Sequence, residues 1–263
     1  MREPPLTGLP AEAFSPAEAS AEVGAKAGPP GAKRVGGVWL PETERHFVDW
    51  MENSKRARVV EGKRTYQYHK LEAALAHQPK GRRRLCLDIG AHVGLWSMWL
   101  ARAFAQLQAF EPVPAFAEIF PHNVDMTRVT LHRVALGAAP GTISLTVPLE
   151  QTGNAHIAIP GTHPGTRYGS GEAVDTWHAV PLVTLDSFGF EGVDFIKIDV
   201  EGFERAVLEG GAATIRRDRP HIVIEQKGNE AAYGEPRDAA RKLLESWGMK
   251  PLEVLSGDWI MGW

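Results

Sequence analysis

The amino-acid sequence predicts an α/β protein built on a doubly wound, mostly parallel sheet. Three observations carry that reading. The apolar runs Leu85–Ile89, Leu107–Phe110, Thr130–Leu136, Phe195–Val200 and His221–Glu225 are near-continuous rather than alternating, as strands buried on both faces are. Helical stretches at Leu95–Phe104, Pro114–Asn123, Phe203–Arg217 and Pro236–Trp247 lie between or after them. The chain then ends on Leu252–Leu255 and Trp259–Trp263 around a Ser256-Gly257-Asp258 turn, which reads as a terminal antiparallel hairpin.

Taken in order, residues 1–37 are rich in Ala, Pro, Glu and Gly, with too few large apolar groups to offset the cost of ordering. They are expected to form a flexible arm. Residues 38–84 are expected to be a helical, basic extension: Trp39, Phe47, Val48, Trp50 and Met51 supply an apolar face, and residues 55–84 hold ten Lys or Arg against Glu61 and Glu72. That basic stretch reads either as a solvated face with a linker or as a positive rim for an anionic substrate. The main domain is expected at 85–263, with an insertion at about 141–181. Within it, Thr142–Val147 looks like an extra strand, and Gln151–Val180, rich in Gly, Pro, Thr and His, like a long active-site loop.

Composition narrows the function. With 263 residues, 43% hydrophobic and 23% charged, the chain can bury one sizeable core, and its net charge of −3 argues against a generic polyanion binder. The lone Cys86 sits inside an apolar run and excludes an internal disulfide. No stretch approaches the roughly 20 apolar residues of a membrane span, and MREPPLTGLP has no apolar signal core. A soluble, cytoplasmic protein without a membrane partner is expected. The oligomeric state is left open.

The first strand runs into Asp88-Ile89-Gly90-Ala91-His92-Val93-Gly94. Ligands of open α/β sheets bind at the carboxyl ends of strands, and glycines there admit close backbone approach. Glu111 ends the second strand about 20 residues beyond the first turn, where an acid accepts hydrogen bonds from ribose hydroxyls. The pattern is D-x-G-x-x-x-G, without the central glycine of a dinucleotide loop. An acid before the turn repels a pyrophosphate but suits a cation. S-adenosylmethionine, with an ammonium, a sulfonium, a ribose and no phosphate, fits. The bland alternative is a turn that needs glycine and a strand that happens to end in Glu.

The later run Asp194-Phe195-Ile196-Lys197-Ile198-Asp199-Val200-Glu201-Gly202 places Lys197 and Asp199 on one side of a strand, where they can pair. Asp199 and Glu201 reach the same rim as Asp88 and Glu111. There they would orient a substrate hydroxyl, accept its proton or bind a divalent ion. The bland alternative has Glu201 capping the next helix and Asp199 only holding Lys197.

At this point the sequence resembles the FkbM-type methyltransferase family of class I S-adenosylmethionine-dependent enzymes. The matching pieces are LDIGAHVG, AFEPVPAFAEIFPHN, VALG with GTISL, VTLDSF, and above all FIKIDVEGFERAVLEG with RPHIVIEQ, together covering roughly residues 85–227. His92 and the His- and Gly-rich loop at 151–180 depart from the family's pattern. The resemblance implies a Rossmann-like sheet of seven strands with the last antiparallel, and methyl transfer to an oxygen, often on a sugar, glycan or natural-product scaffold. It implies that Asp88, Gly90, Ala91 and His92 surround the methionine part of the cofactor; Gly94, which flanks the turn with Gly90, is expected among the cofactor-binding residues on the pattern of the turn itself. Glu111 would hold the ribose, Pro112 would sit beside the adenine, Ala135 and Leu136 would pack on its other side, and Asp199 would lie beside the reacting centre.

A hydroxyl is a weak nucleophile, so a base is needed. Asp199 or Glu201 is the first choice and His156 the second. Glu225 would join Asp199 around a divalent ion, but no compact ligand spacing supports a metal, and none is assigned. A nucleic-acid methyltransferase acting at a ribose hydroxyl is the rival reading, motivated by the basic region and by Trp247, Trp259 and Trp263. A non-catalytic cofactor-binding module is the third.

Overall fold

In the computed structural model, which describes residues 28–158 and 176–263, the first described element is a hairpin. Strands β1 (Ala32–Val35) and β2 (Val38–Pro41) pair through Gly36 and Gly37, both at positive φ (54° and 85°). The hairpin holds because Val38 and Leu40 are buried and the Asn123 carboxamide binds both backbone groups of Trp39, at 2.7 and 2.8 Å. Residues 28–37 are therefore ordered, contrary to expectation. Residues 1–27 of the expected arm and 159–175 of the expected loop, with His163, lie outside the described residues.

The extension is mixed rather than helical: α1 (His46–Asn53), β3 (Val59–Val60), β4 (Lys63–Arg64) and α2 (Tyr68–His77) follow one another. Phe47, Met51, Leu71 and Ala74 enter the same core as the main domain. Its basic residues are largely engaged. Arg82 and Arg84 bind the buried Asp194, at 3.1 and 2.7 Å, Arg58 binds Glu72, and Lys70 forms a buried pair with Asp258 at 2.7 Å. A buried carboxylate needs such partners, which accounts for part of the charge run without any ligand.

The main domain then lays down β5 (Leu85–Ile89), α3 (Ser97–Ala103), β6 (Gln106–Phe110), α4 (Pro114–Asn123), β7 (Val129–His132) and β8 (Ala135–Leu136). Next come β9 (Gly141–Val147), β10 (His156–Ile157), β11 (Thr176–Val183), β12 (Val193–Ile198), α5 (Glu204–Gly210), α6 (Ala212–Asp218) and β13 (His221–Glu225). It closes with α7 (Ala239–Ser246), β14 (Lys250–Leu255) and β15 (Asp258–Gly262). Seven strands form one sheet in the order β14-β15-β13-β12-β5-β6-β7. Only β15 runs against the rest. Alternate residues feed two cores: Cys86 faces α3 and α4, while Leu85, Leu87 and Ile89 face α5–α7. This is the expected doubly wound fold with its last strand antiparallel.

Three elements differ from expectation. The run Thr130–Leu136 is two strands, because β8 leaves the main sheet and pairs in parallel with β11. The helix read over Phe203–Arg217 breaks at Gly210-Gly211. A Cβ on Gly210 would lie 2.0 Å from the Gly137 carbonyl, so the chain turns where glycine allows backbone to touch backbone. The expected long loop contributes β10 and β11 to a second sheet, β10-β9-β11-β8, at the mouth of the first. Among the described residues no helix is long and apolar enough to cross a membrane.

Candidate active site

Parallel register sets Lys197 beside Asp88, and period 2 sends Asp199 to the same side. The Lys197 ammonium lies 3.5 Å from both carboxylates and donates to the Gly90 carbonyl at 2.9 Å. Burial alone would depress its pKa, but Asp199, Asp88 and Glu225 outweigh burial and raise it. Asp88 is fully buried, and its Oδ2 accepts from the Ser97 hydroxyl at 2.5 Å. Burial pushes its carboxyl up, with Lys197 and Ser97 opposing.

After β5 the chain turns through Gly90 (φ 77°). A Cβ there would meet the Asp199 carbonyl at 1.9 Å, so glycine is required for the two strand tips to touch. His92 (φ 50°) and Glu201 (φ 54°) take the left-handed region without being glycine, a strain that concentrates at functional turns. The His92 N–H donates to Glu111 Oε2 at 2.8 Å, and the Val113 N–H to Oε1 at 2.7 Å. Burial pushes the Glu111 carboxyl up to about 7, those two donors offsetting only part of the effect.

Two cavities meet at these tips. The first encloses about 650 Å³ of empty space, its opening to solvent included. Phe110, Val113, Val134, Leu136, Ile143 and Leu145 make it a mostly apolar slot, and Glu111, Pro112, Asp199 and Glu201 also line it. Among the described residues, its lining has three carboxylates and no Lys or Arg. The second, of about 640 Å³, lies between the extension (His46, Phe47, Tyr66) and the strand tips (Lys197, Asp199, Glu225, Lys227). Gly90, His92, Gly153, Asp199 and Glu201 line both.

Asp199, Glu201 and Glu225 bring one carboxylate oxygen each within 4.8 Å of one another. Burial opposes ionisation of Asp199, but Lys197 and Lys227, with a hydrogen bond from Glu225, hold it below the usual carboxylate range. Burial, then the charges of Asp199 and Glu201, push Glu225 well up. Glu225 is thus the weaker acid of the two and Asp199 the stronger. Lys227 pairs with Glu225 and Lys197 with Asp199, so two ammonium groups already flank the cluster. Burial and the charge of Asp199 raise the nearby Tyr66 phenol well above its ordinary value.

Of the residues singled out by sequence, Gly90, His92, Glu111, Pro112, Ala135, Leu136, His156, Asp199 and Glu201 line the first cavity. Ala91 lines the second. Asp88 and Gly94 line neither. Asp88 lies behind the turn, holding Lys197. Gly94 is a packing residue, since a Cβ there would lie 2.4 Å from Val124 Cγ2 and 3.1 Å from Phe120. Glu201 binds the Asn229 side chain at 2.6 Å, while the N–H groups of Val200 and Gly202 before α5 go to Glu204, at 3.2 and 3.0 Å. Glu204 thus ties down the turn before α5, whose N-cap residue, Phe203, makes no side-chain cap bond. His156 Nδ1 contacts the Asn154 carbonyl at 2.9 Å. The contributions of His46, Phe47, Tyr66 and Lys227 were not foreseen. They come from outside the strand-tip motifs, or, for Lys227, from just past one, and carry no local pattern of their own.

The sequence profile of the Methyltransferase FkbM domain matches residues 88–251. "Methyltransferase 1" of Beauveria bassiana (strain ARSEF 2860) is 25% identical over 195 residues, covering 66% of this chain and 74% of its own length. "Methyltransferase sdnD" of Sordaria araneosa is 28% identical over 156 residues, covering 47% of this chain and 59% of that protein. The methyltransferase FkbM structure from Methylobacillus flagellatus KT superposes with a TM-score of 0.42 at 14% identity, over 68% of this chain and 43% of that one.

Proposed function

The chain belongs to the FkbM methyltransferase family, and from that premise we propose that it methylates a hydroxyl oxygen of a sugar, glycan or natural-product scaffold, with S-adenosylmethionine as donor. The donor set of the first cavity fits that cofactor. Its apolar slot suits a flat base, each Glu111 oxygen keeps acceptor capacity for a ribose hydroxyl, and three carboxylates without Lys or Arg favour a cation over a phosphate. Glu111, Pro112, Ala135 and Leu136 would hold the adenosine end, and Gly90, Ala91 and His92 the methionine end, with Asp88 behind them as support. The cofactor, when bound, supplies an electrophilic methyl group on a sulfonium.

The observation that carries the reading is that the two cavities share Asp199. An acceptor hydroxyl in the second cavity donates its hydrogen bond to that carboxylate, which directs the oxygen lone pair toward the first. Formation of the O–CH₃ bond would break the S–CH₃ bond and release the cofactor as a neutral thioether, and the hydroxyl proton would pass to Asp199. Lys197 and Lys227 hold the anion in place, and the walls from α1 and Tyr66 exclude water. Glu201, which lines both cavities, and His156, which lines the first, are secondary candidates for the base.

Incubation with methyl-labelled cofactor and hydroxylated acceptors tests the reading. Label is expected in an O-methyl group. Asp199→Asn is expected to lower kcat by about a hundredfold or more while changing donor affinity far less. Equal rates for Asp199→Asn and the parent would remove Asp199 from the chemistry, and label on nitrogen or carbon would overturn O-methylation.

A further inference from the structure

Glu44, between β2 and α1, is fully buried, and both its oxygens are bonded. Oε1 accepts the Phe47 N–H at 2.7 Å, at the first turn of α1. Oε2 accepts the Thr152 N–H at 2.7 Å and also the Thr152 hydroxyl. A hydroxyl has one proton to donate. Thr152 gives it to Glu44, so in its 3.0 Å contact with His92 Nε2 the imidazole is the donor. The ring therefore carries its proton on Nε2. Nδ1 is the bare acceptor, and it is buried with no hydrogen-bond partner among the described residues. The same residue's backbone N–H donates to Glu111, and its ring is wedged between Phe47 and Phe116, with centroids at 5.2 and 4.1 Å.

We propose that Glu44 and Thr152 are positioning residues of the methyl-donor site: they lock His92 as the neutral Nε2–H tautomer and hold the turn whose N–H aligns Glu111. The inference rests on the assignment of the first cavity to the donor. Neutrality matters there because His92 lines both cavities beside Asp199. An imidazolium would repel a sulfonium and draw on the same carboxylates. Burial and the neighbouring Lys197 ammonium act in the same sense, holding the imidazole down at about 3. The chain of contacts also makes the extension part of the donor site, although it lies before the first strand of the motif.

Thr152→Val removes the hydroxyl and keeps shape and backbone, while Thr152→Ser restores the hydroxyl. Nitrogen-15 NMR of the ligand-free protein reads the tautomer directly. The parent and Thr152→Ser are expected to show a pyrrole-like Nε2 and a pyridine-like Nδ1, and Thr152→Val a mixed population. By calorimetry Thr152→Val is expected to bind S-adenosylmethionine about three- to tenfold more weakly, and Thr152→Ser within about twofold of the parent, as one net hydrogen bond implies. The kcat at saturating donor is expected to change less than this affinity. Glu44→Gln, which replaces one acceptor oxygen by a donor, is expected to move tautomer and affinity in the same direction and serves if Thr152→Val is poorly folded. An Nδ1–H or doubly protonated His92 in the parent overturns the proposal, as does parent-like affinity in Thr152→Val. Failure of the parent itself to bind S-adenosylmethionine overturns instead the donor-site assignment, and the positioning role with it.

Discussion

Glu111 is the residue whose chemistry is most exposed to test. Its place at the cavity was legible in the sequence, because an acid that ends the strand after a glycine turn lies at the carboxyl rim of the sheet. Its environment was not legible, since the two N–H donors come from a turn whose conformation depends on tertiary contact. Glu111→Ala is expected to weaken S-adenosylmethionine binding at least about tenfold, through loss of charge-assisted hydrogen bonds. The pH dependence has a definite sign. The free carboxyl, pushed up to about 7, is largely protonated at pH 6. Ribose hydroxyls and a cation favour its ionised form, so binding releases a proton. The affinity of the parent relative to Glu111→Gln should therefore rise from pH 6 to pH 7 and level off above. A ratio flat in pH would show that Glu111 is already ionised in the free protein. Asp88 teaches the opposite lesson. The same local pattern marked it as a ligand contact, but the sheet register gives it to Lys197.

Elements were read best where burial alone determines them. The strands Leu85–Ile89 and His221–Glu225 and the helix Pro114–Asn123 have the boundaries their apolar patterning implies. Elements whose ends depend on another part of the chain were misread: β8 breaks away to meet β11, and α5 stops where Gly210 touches Gly137. Gly94 belongs with these, since its role is to let the turn into α3 pack on α4. Gly94→Ala forces a Cβ into Val124 and an L-residue into φ 87°. It is expected to cost about 1–3 kcal/mol in denaturant unfolding, with donor affinity in the surviving folded protein near that of the parent. A large loss of affinity at unchanged stability would place Gly94 in the site after all.

At the scale of the whole molecule, the division at residue 84 is one of sequence pattern and not of structure. The extension shares a core with α3 and α4, walls the second cavity, and is tied to β15 by the Lys70–Asp258 pair. Lys70→Met leaves Asp258 buried without its cation and is expected to cost about 3–5 kcal/mol, while adding Asp258→Leu should recover much of that loss. Independent melting of the extension would contradict the shared core. None of this was legible locally, because Lys70 reads as one more charge in a basic stretch until Asp258 is brought beside it. The sheet order has a consequence for assembly. Residues 258–262 form the last strand of the sheet in chain order, yet they fill an interior slot next to β13, with Asp258 opposite Glu225. Until they dock, β13 stays an open edge and its acid lacks that shield, so a partly folded chain holds an incomplete acidic cluster and a strand free to join another chain. A finished cluster and protection from aggregation therefore arrive together, with the insertion of a single five-residue strand.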